Sequence, residues 1–132
     1  MRERPMIWLR ALPLVALIAT TAQAASLPLR RGTFVTMGQS CSDAPLASLF
    51  HYDGKAFSYP HASQCRSDIV AQSGQTYTVR ETCSALGDGT PAQPSTTTST
   101  YAIISATEVR VGKDDGHGAT AYRWCPAGGW FR

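Results

Sequence analysis

The sequence predicts a mostly β fold: a small antiparallel β-barrel or sandwich of seven to eight short strands, stapled by two disulfides, with room for one short helical turn. Three observations carry this. β-prone segments recur at roughly ten-residue spacing and are separated by Gly, Pro, Asp and Ser. Four cysteines stand in a short chain that opens like an exported precursor. No heptad, internal repeat or second linker divides the chain after its opening segment.

Taken in order, Ser26-Leu27-Pro28-Leu29 reads as an extended arm, and Gly32 to Met37 as a first strand ended by Gly38. Between Ser42 and Phe50, Asp43 suits a cap, Pro45 a first turn, and Leu46, Leu49 and Phe50 share a helical face, so one helical turn fits. The stronger signal is Asp53-Gly54, which favours a tight hairpin joining Leu49-Phe50-His51-Tyr52 to Ala56-Phe57-Ser58-Tyr59. Cys65 to Gln72 and Thr76 to Cys83 are expected as strands joined at Ser73-Gly74. In the second, Tyr77, Val79 and Cys83 alternate with Thr76, Thr78, Arg80 and Thr82, which implies one buried and one wet face. Glu81 interrupts the apolar side and is expected as a surface carboxylate at a strand end, or with a partner. Ala85 to Ser95, with Gly87, Gly89, Pro91 and Pro94, reads as a loop. The Thr96-Thr97-Thr98 run begins a strand through Ile104, followed by strands at Glu108 to Val111 and Ala119 to Cys125 around a polar turn, Gly112 to Gly118. The closing Trp130 and Phe131 are expected to cover an open end.

Residues 1–24 read as a cleaved signal peptide. Arg2, Arg4 and Arg10 precede or begin an apolar run, Ala11 to Ala19, that is too short to span a bilayer, and Ala22-Gln23-Ala24 supplies a small-x-small cleavage pattern. No cysteine stands immediately after the cut, the first being Cys41, which argues against a lipid anchor, and a stable membrane anchor is not expected after cleavage. Residues 25–132 are then one secreted or periplasmic β domain. Cleavage removes three arginines and one glutamate, leaving nine basic and eight acidic residues and a net charge of +1. Arg30-Arg31 is the only basic pair left, so the clustered cations of a nucleic-acid binder are missing.

Cys41, Cys65, Cys83 and Cys125 are too widely spaced for the close pairs of a structural zinc site and are expected as two disulfides. Three connectivities are open, and the preferred one joins Cys41 to Cys65 and Cys83 to Cys125. His51 and His61, with Asp53, meet the composition of a metal site only if the hairpin brings them together, and solvent-facing polar residues are the simpler account. Lys113-Asp114-Asp115-Gly116-His117-Gly118 has the acidic pair of a calcium loop without its remaining ligands. There is no G-x-S-x-G elbow and no phosphate-cradling glycine loop, so no catalytic set, cofactor or metal is expected.

A surface function remains. The first expectation is an exported, disulfide-stabilised binding module, an inhibitor or accessory protein of an envelope or extracellular hydrolase, with a protein partner in that compartment. Its candidate contact residues are Asp53, Lys55, His61, Gln64, Lys113, Asp114, Asp115 and His117. In general architecture such a domain resembles the small β-barrel lysozyme-inhibitor proteins of bacterial envelopes. No stretch matches such a family's motif, so the resemblance assigns no residues. The alternative is a carrier of a small apolar ligand, with Phe34, Phe57, Tyr77, Tyr101, Ile103 and Trp124 lining a barrel cavity instead of filling a solid core.

Overall fold

The computed structural model describes residues 26–113 and 118–126. The expected leader, the contact residues Asp114, Asp115 and His117, and the terminal Trp130 and Phe131 lie outside the described residues. Eight antiparallel strands are described: β1 (Gly32–Thr36), β2 (Leu49–Tyr52), β3 (Phe57–Ser58), β4 (Ala62–Ser73), β5 (Thr76–Leu86), β6 (Pro91–Ser105), β7 (Glu108–Lys113) and β8 (Ala119–Cys125). They form one sheet in the order β3-β2-β1-β8-β7-β6-β5-β4. The sheet curls into a nearly closed barrel whose seam is held where Tyr59 and Ala62 exchange backbone hydrogen bonds of 2.8 and 3.2 Å. Barrel is thus the correct member of the barrel-or-sandwich pair.

The Asp53-Gly54 turn forms as the sequence indicates. Asp53 Oδ1 accepts the N–H groups of Lys55 and Ala56, both at 2.8 Å, and Tyr52 pairs with Phe57 across the turn. The expected helical turn shrinks to a 3-10 turn at Leu46–Ser48 just before β2, so helix and hairpin signals are both satisfied.

Ala85 to Ser95 is not one loop. β5 continues to Leu86, and β6 already begins at Pro91. Pro91 and Pro94 are tolerated because, among the described residues, β7 reaches only to Lys113, opposite Ser99, and the first half of β6 has a strand partner on one side only. The ladder with β5 also shifts register between Cys83 and Ala85. A proline on an edge sacrifices no ladder donor.

The disulfides join Cys41 to Cys125 and Cys65 to Cys83, which corrects the preferred connectivity. Register explains the short link, since Cys65 and Cys83 are directly opposed on β4 and β5. The long one pins the segment after β1 to the end of β8, where Cys125, Val35 and Leu49 form a small cluster with Cys41 and Ala44.

The main core is aromatic. Phe50 stacks on Phe34 and meets Phe57 and Tyr122 edge-on, while Phe57 stacks on Tyr52 and Tyr101. Of the six residues expected to line or fill the interior, Phe34, Phe57, Tyr101 and Ile103 are buried in this cluster, and Tyr77 and Trp124 pack against it half-buried. The N-terminal arm supplies Leu27 and Leu29, both buried. Tyr52 holds the arm, its hydroxyl accepting from Leu27 N–H at 2.8 Å and donating to Leu27 C=O at 3.2 Å. The N–H of Arg30 donates to Ala106 C=O in the β6–β7 turn, so the arm plugs the barrel end where β2 and β6 finish. The opposite end, where β2, β4 and β6 begin, carries the candidate site.

Candidate functional site

At that end the barrel holds a cavity of about 340 Å³. Its lips include the exposed Leu46 of the 3-10 turn, Leu86 at the end of β5 and Lys113 at the end of β7. Its inner wall reaches the buried Phe50, Glu81 and Tyr101. Strand alternation makes one wall of the cavity polar. Along β6 the inward positions Ser95, Thr97, Ser99 and Tyr101 run from lip to core, and on the antiparallel β5 Ala85, Cys83 and Glu81 do so. Phe50, Tyr59, Tyr101 and Tyr122 supply aromatic surface.

Glu81 is the chemical centre. It is not a rim carboxylate: at 5% exposure it lies in the barrel interior, because its place in the period-two pattern is the same as that of Val79. Its Oε1 accepts the Tyr59 hydroxyl at 2.8 Å and the Tyr101 hydroxyl at 2.9 Å, while Oε2 is buried without a hydrogen-bond partner. Burial pushes the Glu81 carboxyl above the ordinary carboxylate range, and the two tyrosine hydrogen bonds only partly oppose this. Burial, then the neighbouring Glu81 carboxylate, raises the Tyr59 phenol. Tyr101 is raised by burial and by both Tyr59 and Glu81. The two phenols therefore stay protonated as donors. The carboxyl is the titrating member, able to donate when neutral and to accept when ionised.

Among the described residues, those expected from sequence as contacts do not form one surface. His61 and Lys113 border the cavity, and His61 packs beside the Tyr59 ring at 5.5 Å between centroids. Asp53 and Lys55 sit in the β2–β3 turn, on the arm side of the barrel. Gln64 is exposed on β4 at a left-handed backbone position, φ 50°. His51 lies within β2, half-buried, with its pKa lowered by desolvation against the opposing charge of Asp53. Among the described residues no group of three His, Cys, Asp or Glu side chains is arranged to hold a metal ion.

Sequence reasoning missed Glu81 and Tyr59 as site residues. The available signal was a carboxylate on the inward side of a strand that otherwise alternates cleanly. No protein-family model matches this chain, and neither a curated protein nor a solved structure does.

Proposed function

We propose that this domain is a small binding module that takes its ligand inside the open end of the barrel, closer to the carrier than to the hydrolase inhibitor expected first. The observation that carries this reading is the cavity of about 340 Å³ running from exposed lips to the buried Glu81. That volume falls at the small end of ligand pockets, which combine apolar walls with a few placed polar groups. The described contact residues of the inhibitor reading are divided between the two barrel ends, which favours the cavity over a loop surface. We place the domain outside the cytoplasm. The two disulfides fit an oxidising compartment, and among the described residues no helix is long and apolar enough to cross a membrane.

The test is titration of residues 25–132, disulfides intact, with the neutral fluorescent probe N-phenyl-1-naphthylamine. The reading expects saturable binding at one probe per domain. Thr97→Trp, at an exposed position on the cavity lining, is expected to abolish binding while leaving the thermal transition unchanged. Non-saturable binding, or equal binding by a folded Thr97→Trp variant, contradicts it.

A further inference from the structure

We infer that the ligand of this cavity is a small organic ammonium ion, a monocation on a short apolar body, bound with its N–H groups on Glu81 and its positive charge against the surrounding aromatic rings. The inference rests on the cavity reading above and narrows it to a chemical class.

Three features lead there. First, Glu81 is engaged asymmetrically: Tyr59 and Tyr101 both donate to Oε1, and Oε2 is buried and unpartnered. An unsatisfied buried acceptor is costly, and a donor carrying formal charge satisfies it best. Second, the same cavity is lined by Phe50, Tyr59, Tyr101 and Tyr122. Aromatic faces attract a cation through their quadrupoles, and rings combined with one carboxylate form an environment suited to alkylammonium groups. Third, the lip carries Lys113. A single positive charge there disfavours a second cationic group on the ligand's outer end, which leaves a monocation with an apolar tail against Leu46, Leu49 and Leu86.

No cation among the described residues is paired with Glu81, so a cationic ligand favours its ionised form. Its cross-strand neighbours are Ser67 on β4, whose Oγ is also buried without a partner, and Thr97 on β6. Tyr59 and Tyr101 donate to it, while Tyr122 of β8, His61 and Lys113 line the same cavity. None of these makes an ion pair with Glu81 among the described residues. Ligand binding then favours the carboxylate: at any pH where Glu81 is still protonated, its proton leaves to solvent and the incoming ammonium replaces that positive charge.

The experiment compares phenethylammonium with 2-phenylethanol, a neutral molecule of similar shape, by calorimetry on the disulfide-intact domain across pH. The expected result is tighter binding of the amine by about tenfold to a hundredfold at neutral pH. Its affinity should fall on acidification as Glu81 is protonated, while the alcohol's stays flat. Glu81→Gln should bring the amine to the level of the alcohol. The wild-type pH profile decides the matter even if that variant does not fold. If the alcohol or the naphthylamine probe binds and the amine is no tighter, the ammonium assignment is overturned and the cavity reading stands. If none of the three binds, both fall.

Discussion

Tyr101 donates its hydroxyl to Oε1 of Glu81 across 2.9 Å, linking β6 to β5 beneath the cavity. Burial raises the Glu81 carboxyl above its unfolded-state value. A carboxyl raised in this way contributes stability that is fully present below the ordinary carboxylate pKa and is lost as pH rises through the native value. Asp53 and Asp88, both lowered by backbone hydrogen bonds, act in the opposite direction, so the comparison must be made against a variant. Urea unfolding of wild type and Glu81→Gln should show wild type losing ground relative to the variant between the ordinary carboxylate range and its raised native pKa. Parallel curves would mean that Glu81 titrates like an exposed residue.

The connectivity gives the disulfides unequal weight. Cys41–Cys125 spans 84 residues and Cys65–Cys83 spans 18. In the chain-entropy model these loops are worth roughly 4.5 and 3 kcal/mol. Replacing Cys41 and Cys125 by alanine should therefore lower unfolding free energy more than replacing Cys65 and Cys83. Non-reducing peptide mapping should recover the 41–125 and 65–83 pairs, and a 41–65 peptide would refute this topology.

The seam of the barrel depends on a residue without a side chain. A Cβ on Gly87 would collide with the backbone carbonyl of Pro60, next to the Tyr59–Ala62 bridge. Gly87→Ala should destabilise by roughly 1–3 kcal/mol, with faster hydrogen exchange at the Tyr59 and Ala62 amides. Unchanged exchange there would show that the turn after β5 does not support closure.

At the other end, Tyr52→Phe removes the hydroxyl that both accepts from and donates to Leu27. The loss should be about 1–3 kcal/mol because the buried Leu27 N–H is left without an acceptor, while the Leu27 carbonyl keeps its bond from the Leu29 N–H. Leu27→Ala should cost about 2–5 kcal/mol. Both variants should increase proteolysis within the arm while leaving probe binding at the far end intact.

Local pattern makes much of this fold legible. The Asp53-Gly54 turn, the alternation around Val79 and the final hairpins follow from residue chemistry acting over a few positions. The disulfide pairing does not, because it depends on register: Cys65 faces Cys83 only once β4 and β5 are aligned. Pro91 and Pro94 suggest a loop because sequence does not reveal that, among the described residues, the β7 ladder begins only at Ser99 and leaves the first half of β6 at an edge. Glu81 reads as a rim residue because an isolated carboxylate is costly to bury. The two phenols that accompany it come from Tyr59, 22 residues earlier, and Tyr101, 20 residues later. For the same reason the cavity is invisible in the sequence, since Ser95, Thr97 and Ser99 look like low-complexity surface until strand pairing turns them inward.

The most direct measurement is intermolecular NOE spectroscopy on the labelled domain mixed one to one with phenethylammonium at neutral pH. The account expects ligand cross-peaks to the ring protons of Phe50, Tyr59, Tyr101 and Tyr122, which line the cavity with Glu81. Cross-peaks confined to the Asp53–Lys55 turn or the outer face of the sheet, with none to those four rings, would contradict it.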